Sequence, residues 1–227
     1  MEDALGHIAT LIGDPVRARV LWALMDGRAY TATELSIHAD TTRPNLSMHL
    51  RKLLDAEILS VEVQGRHRYY TFSRPEVAYA LEAMANLLPP GQRAKTAPGG
   101  DLLPIAFCRS CYDHVAGRIG VLLTESLVRE GIIVQKGGAF DVTAAGHRWF
   151  EKLGIDCTAL QGGRRSFSRA CLDWTERRHH LAGSLGAALL TRMLQSHWLR
   201  ATPHSRVLTV TGKGQKALGE VFRLKNV

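Results

Sequence analysis

The segment Asp113-His-Val-Ala-Gly-Arg-Ile-Gly120 returns 66 residues later as His179-His-Leu-Ala-Gly-Ser-Leu-Gly186, and the pattern of the residues downstream returns with it. A chain that repeats its order of elements folds its copies alike and buries between them faces that neither buries alone. After each echo comes an apolar run at helical spacing, Val121–Glu130 and Ala187–Ser196, and then a short β-rich run, Ile132–Gln135 and Trp198–Arg200. A polar turn and a second β-rich run come next, Phe140–Val142 and Val207–Val210. Thr143 and Thr211 then stand where an N-cap would open a closing helix. The second half of the chain is therefore expected to be two similar units packed as one domain, with a pseudo-two-fold interface suited to a pocket.

A cysteine-bearing segment precedes each copy: Cys108-Arg-Ser-Cys111-Tyr-Asp-His114 and Cys171-Leu-Asp-Trp-Thr-Glu-Arg-Arg-His179-His180. Cys111-Tyr-Asp aligns with Cys171-Leu-Asp, and the second copy carries six more residues before its histidine. Thiolate and imidazole together suit zinc or another soft divalent ion, and the spacing makes Cys108, Cys111, His114 and Cys171 candidate ligands. A small organic effector is the other ligand class, held by Cys111, Tyr112, Asp113, His114, Cys171, Asp173, Trp174 and His180. A third reading makes Cys111, Cys157 and Cys171 small core hydrophobes, with Asp113 and Asp173 capping helices. The residue types alone leave all three open.

The first third of the chain has a different pattern. Between Thr42 and Lys52, Leu46 and Leu50, continued by Leu53 and Leu54, mark an inward helical face. Asn45, Met48, Arg51 and Lys52 point away, with Ser47 and His49 on the flanks. Thr42 can cap this helix, and Pro44 is tolerated where the first amides lack intrahelical acceptors. No acid occurs from Thr41 to Leu54, and a short basic helix of this kind suits the major groove. Upstream, Ala32–Ala39 reads as a second short helix that Thr33 could cap, and Asp40-Thr41 as the turn between the two, a helix-turn-helix arrangement. Downstream, Ile58–Gln64 and Arg66–Phe72 read as a hairpin hinged at Gly65, with Leu59, Val61 and Val63 alternating along its first strand. Arg66, His67 and Arg68 lie at its tip, within reach of phosphate or the minor groove. The expected DNA contacts are thus Thr42, Arg43, Asn45, Ser47, Met48, His49, Arg51, Lys52, Arg66, His67 and Arg68.

Three groups of residues, Gly13-Asp14-Pro15 with Arg17, Leu46-Ser-Met-His-Leu-Arg-Lys-Leu53, and Gly65-Arg66 with Tyr69-Tyr70, resemble the winged-helix domain of ArsR/SmtB-type transcriptional regulators over roughly the first 85 residues. The Cys-Tyr-Asp-His-x-Ala-Gly and Cys-Leu-Asp-Trp segments are similar to those of a long-form branch of such regulators. The resemblance implies a bacterial repressor that binds an operator as a homodimer through the first and last helices of its DNA-binding domain. It also implies an effector that releases the DNA. In metal-sensing relatives the ligands come from cysteines on the helix before the recognition helix or from acids and histidines on the last helix. The matching stretches here, Glu34–His38 and Glu76–Leu88, hold no cysteine and no histidine respectively, so those sites are absent.

The fold expected is mainly α with small β-wings: a winged helix-turn-helix over 1–88, a Pro- and Gly-rich linker over 89–105, and a domain of two degenerate winged-helix-like repeats over 106–227, the repeats at about 106–160 and 166–227. Glu2–Ile12, with Leu5, Ile8 and Ile12 on one stripe, reads as the first helix, and Val77, Leu81, Met84 and Leu88 as an apolar seam on the last helix of the DNA-binding domain. The net charge of +8 does not itself mark a DNA-binding domain: residues 1–90 carry 9 Lys+Arg against 11 Asp+Glu, and 91–227 carry 20 against 10. Placement of the bases is the informative feature. No apolar run approaches the roughly 18 residues of a membrane span, and Met1-Glu2-Asp3 is acidic where a secretory signal is basic, so a cytoplasmic protein with no membrane partner is expected, its cysteines reduced.

Glycine-rich phosphate loops, nucleophile elbows and two-histidine metalloprotease motifs are missing, which argues against an enzyme. The function expected is a DNA-binding repressor released by an effector sensed in the C-terminal domain, either a zinc-like divalent metal or a small organic molecule. A sensor of metal or thiol redox state using Cys108, Cys111, His114 and Cys171 is the alternative, and a thiol-dependent enzyme the remote one.

Overall fold

The computed structural model describes residues 1–89, 103–202 and 205–225, and divides the chain into two compact units, Met1–Glu82 and Ala83–Val227. Most of the expected linker lies outside the described residues. Its last two positions, Pro104 and Ile105, belong instead to a short helix, which Pro104 opens at a position where the missing amide costs no hydrogen bond.

The first unit begins with α1 (Glu2–Gly13) and α2 (Pro15–Ala23), joined at a hydrogen-bonded corner. Asp14 caps α2 by accepting from the amides of Val16 and Arg17, both at 3.0 Å. The nearly buried Arg17 guanidinium turns back to donate to the carbonyls of Thr10 and Leu11, which the end of α1 leaves without helical donors. The Gly13-Asp14-Pro15…Arg17 motif is therefore the joint of two helices. β1 (Tyr30–Thr31) leads into α3 (Ala32–His38), and α4 (Arg43–Asp55) comes after a turn in which Asp40 has φ 48°. α3 is capped by Thr31 rather than Thr33, because Glu34 stands three residues on and returns a 2.7 Å acceptance to the Thr31 amide, closing a capping box.

β2 (Leu59–Gln64) and β3 (His67–Phe72) form the wing, paired from Leu59↔Phe72 to Gln64↔His67 about a two-residue turn that opens on Gly65 at φ 62°. β1 adds to the other edge of β3, giving the sheet order β1-β3-β2. Of the alternating wing residues only Leu59 is buried. Val61 and Val63 are exposed because the hairpin projects past the core with nothing in its own unit to cover that face. The core itself is made by Leu11, Ile12, Val20, Leu21, Leu24, Leu35, Leu46, Leu50 and Leu53 with the base of the wing. Each of the three α4 leucines contributes roughly 2 kcal/mol by burial, which holds that helix by one face and leaves the other outward. α5 (Pro75–Ala85) begins in this unit, where Leu81 is buried, and runs on past Glu82, with Met84 exposed. Leu5 on α1 is also exposed.

The second unit repeats one order of elements. In the first copy α6 (Pro104–Phe107) precedes the hairpin β4 (Arg109–Cys111) and β5 (His114–Ala116), then α7 (Gly117–Arg129), the hairpin β6 (Ile133–Lys136) and β7 (Ala139–Val142), and α8 (Ala144–Lys152). After α9 (Cys157–Gln161), the second copy gives the hairpin β8 (Arg169–Leu172) and β9 (His179–Ala182), α10 (Gly183–Gln195), the hairpin β10 (Leu199–Ala201) and β11 (Leu208–Val210), and α11 (Gly212–Glu220). Thr143 and Thr211 cap α8 and α11 as their positions predict. The leading hairpin of each copy was not legible in the sequence. β5 packs on α10 and β9 on α7, so each leading hairpin lies against the helix of the other copy. One hydrophobic core drawn from both copies, including Ile119, Leu123, Phe140, Phe150, Leu185, Met193 and Phe222, joins them into a single domain.

The crossing is close. A Cβ placed at Gly120 would stand 2.4 Å from the carbonyl oxygen of Val115, and one at Gly186 would stand 2.4 Å from that of Leu181. The next neighbour of Gly120 is the Cβ of His180, and that of Gly186 includes the Cβ of His114. Each glycine thus lets the strand of its own copy come close, with a histidine of the opposite copy packed just beyond.

Candidate functional site

Two groups of side chains bring chemistry together, one in each unit. On α4, Arg43, Ser47, Met48, Arg51 and Lys52 are exposed, with Met48 60% accessible, and on the wing Arg66, His67 and Arg68 are exposed too. Thr42 is the N-cap of α4, its hydroxyl facing the amide of Asn45. Asn45 is half-buried and donates from Nδ2 to Thr41 Oγ1 at 2.8 Å, while Ser47 donates to the Arg43 carbonyl. Arg51 lies 3.9 Å from Asp55 in an exposed pair, too weak in water to hold it from another anion.

His49 departs from its expected role. Its Nδ1 lies 3.3 Å from Asp14 Oδ1 and 3.4 Å from an Arg17 nitrogen, and its side chain is only 14% exposed. Helical spacing puts position 49 beside the inward stripe, so the imidazole joins the α1–α2 corner instead of facing outward. The backbone amide of Arg17, against an opposing desolvation, and then the charges of Arg17 and His49 hold the Asp14 carboxyl below the usual carboxylate range.

In the second unit, register puts Cys111 opposite His114 on β4–β5 and Cys171 opposite His180 on β8–β9. Because the two hairpins cross, one ligand atom from each of Cys111, His114, Cys171 and His180 falls within 4.8 Å of the others. His114 and His180 are each 1% exposed and Cys111 3%. The two Nε2 atoms are 3.1 Å apart with the rings stacked, centroids 5.0 Å apart. Behind them, Asp113 Oδ1 lies 3.4 Å from His114 Nδ1 and Asp173 Oδ2 lies 3.7 Å from His180 Nδ1.

Asp173 is fully buried. Its Oδ2 accepts from Arg109 at 2.9 Å and from the Gly117 amide at 2.8 Å, and its Oδ1 from the Thr175 hydroxyl and the amides of Thr175 and Glu176. Burial alone would raise its pKa, but Arg109, His180 and these donors outweigh it and keep the carboxyl ionised well below the usual range. The Arg109 guanidinium in turn lies 4.9 Å over the ring of buried Trp174. Asp113 is paired with Arg165, and Tyr112 is exposed.

Among the expected effector residues, then, Cys111, His114, Cys171 and His180 converge, Asp113 and Asp173 stand behind the histidines, Trp174 lies under Arg109, and Tyr112 is outside. Cys108 is corrected: it is fully buried among apolar side chains of the core and is not part of the convergent group, while His180 takes the fourth place. In an extended chain a residue three positions before Cys111 points to the opposite face. Burial pushes the Cys108 thiol up to about 12. The signal that would have moved His180 from the effector residues to the metal candidates is the repeat itself, since a donor present in both copies is brought to their shared axis.

A family model described as a helix-turn-helix domain matches residues 12–62, from the end of α1 into the wing. The HTH-type transcriptional regulator YdfF of Bacillus subtilis is 39% identical over 225 residues, covering 99% of this chain and 100% of YdfF. The chain is an ArsR-type helix-turn-helix transcriptional regulator. The regulator is also 32% identical to the HTH-type transcriptional regulator CmtR of Mycobacterium tuberculosis over 87 residues, 38% of this chain and 73% of CmtR. With the transcriptional repressor SdpR of Bacillus subtilis it shares 28% identity over 87 residues, 38% of this chain and 96% of SdpR. The ArsR-type regulator is thus a DNA-binding protein of mixed α and β structure, whose α3–α4 pair is the helix-turn-helix. Among its described residues, no helix is long and apolar enough to cross a membrane.

Proposed function

We propose that this regulator binds a near-palindromic operator as a homodimer, α4 reading base edges and the wing touching the backbone, and that it is a repressor released by an effector acting on the C-terminal unit. The observation that carries the DNA contact is the outward face of α4: Arg43, Ser47, Met48, Arg51 and Lys52 are exposed beside the exposed Arg66, His67 and Arg68 of the wing, and no acid interrupts the chain from Thr41 to Leu54. Arginine and lysine there supply phosphate contacts, and Asn45 together with the Met48 thioether supplies groups suited to base edges. His49 is not among the contacts, because it is engaged with Asp14 and Arg17. The exposed Leu5 on α1 and Met84 on α5 support a dimer made through those helices, since apolar side chains left bare on terminal helices are what a second copy covers.

Selection of binding sequences from random duplexes by the full-length protein tests the reading. Enrichment of two half-sites about 10 base pairs apart, centre to centre, is the expected result. Recovery of no enriched sequence, or of a single half-site bound by a monomer, would overturn it.

A further inference from the structure

We propose that Cys111, His114, Cys171 and His180 form a four-coordinate site for a soft divalent ion of the zinc class, which fastens the two repeats of the C-terminal unit to each other. Two thiols and two imidazoles are the donor set of closed, tetrahedral zinc sites. Each repeat supplies one of each, from paired positions on a hairpin, so the set is completed only where the hairpins cross. The histidine nitrogens are 3.1 Å apart. Two imidazole nitrogens bound tetrahedrally at roughly 2.0–2.1 Å would be about 3.3 Å apart, so the Nε2 pair already stands at the spacing an ion needs.

The surroundings fit as well. A metal-bound histidine ordinarily directs its other ring nitrogen at a carboxylate or carbonyl, which fixes the tautomer. His114 has Asp113 Oδ1 at 3.4 Å in that place, and His180 has Asp173 on the same side at 3.7 Å without a hydrogen bond, so a carboxylate lies behind each ring and both present Nε2 to the centre. Charge also balances. With both cysteines as thiolates and both histidines neutral, a divalent ion leaves the centre uncharged, and the charge of Asp173 is already met by Arg109. The site is unlike those that the ArsR resemblance implies, which lie on the helix before α4 and on the last helix of the DNA-binding domain, and it does not depend on operator binding.

The test uses the full-length reduced protein, stripped of metal and titrated with cobalt(II) as a spectroscopic probe and then with zinc. One equivalent of cobalt should give the strong visible bands of a tetrahedral ion together with a thiolate charge-transfer band, and zinc should displace it. Cys171→Ser and His180→Gln should each weaken uptake more than about 100-fold, and Asp113→Asn, which leaves all four donors in place, by about 10-fold. Cys108→Ala should still bind one equivalent, which separates loss of a ligand from general damage to the fold. Zinc should raise the melting temperature of the wild type in proportion to occupancy and leave that of His180→Gln unchanged. A metal-free protein that takes up no cobalt, an octahedral or thiolate-free spectrum, or uptake that survives Cys171→Ser and His180→Gln but not Cys108→Ala would overturn the proposal.

Discussion

His114 and His180 occupy equivalent places in the two repeats, 66 residues apart in sequence, and their Nε2 atoms meet at 3.1 Å in the interior of the C-terminal unit. Two imidazoles that share a buried contact of this kind cannot both carry a proton on those nitrogens, so each side of the crossing constrains the chemistry of the other. The same crossing sets what the neighbouring glycines and the buried ion pair must do.

Gly186→Ala is expected to damage the second unit more than an ordinary helix-favouring substitution would. The new methyl meets the Leu181 carbonyl oxygen at 2.4 Å, closer than a Cβ can stand to backbone, and the His114 Cβ at 3.1 Å. Overpacking of this kind costs about 1–3 kcal/mol or more, against the roughly 1 kcal/mol a helical glycine-to-alanine change usually returns. Urea unfolding followed by tryptophan fluorescence should show a lowered midpoint, and an unchanged or raised midpoint would refute the close packing around Gly186.

Arg109→Met is expected to be worse still. Arg109 and Asp173 are both essentially inaccessible and lie 2.9 Å apart, so removing the cation leaves a buried carboxylate without its charge partner. Breaking such a pair costs about 3–5 kcal/mol. Replacing both residues, Arg109→Met with Asp173→Leu, should recover part of that loss in the same denaturation experiment. A single variant as stable as the wild type would show that the pair is dispensable.

On DNA, Arg51→Ala and Arg66→Ala should weaken binding to operator and unrelated duplex alike and lower the salt slope by about one unit each. Asn45→Ala should instead reduce discrimination between them by about 1–3 kcal/mol. Fluorescence anisotropy at several salt concentrations separates the two behaviours, and equal loss of discrimination in all three variants would refute the division.

The corner made by Asp14, Arg17 and His49 carries a pH signature. The folded carboxyl titrates below its ordinary value, so its stabilising contribution is complete above the usual carboxylate range and drains away as pH falls through the folded value. The protection factors of the α2 amides in the full-length protein, exchange rates divided by the intrinsic rate at each pH, should fall on acidification, and Asp14→Asn should flatten that dependence because an amide can still cap the helix but cannot be protonated there. An identical pH profile in the variant would show that Asp14 does not set it.

How much of this could be read from the residues depends on the range of the interactions. α4 was legible because its leucine spacing and threonine cap are local, and the closing helices α8 and α11 because Thr143 and Thr211 carry their own signals. The hairpins β4–β5 and β8–β9 were not, being strands of 3 and 4 residues with no alternation long enough to register. Without them Cys108 looked as good a ligand as Cys111, since the distinction is which face of an extended segment each occupies. His49 was misplaced for a related reason: whether a flanking helical position faces solvent or a neighbouring corner depends on Asp14 and Arg17, more than thirty residues away.

The exchange of hairpins between the repeats has a consequence for how the C-terminal half could be taken apart. Each copy brings only one thiol and one imidazole to the convergent group, so a fragment ending between α9 and β8 would keep Cys111 and His114 on an intact strand pair yet lack their counterparts. Such fragments would regain the complete donor set only by associating in pairs, each lending the other what its missing sibling used to provide.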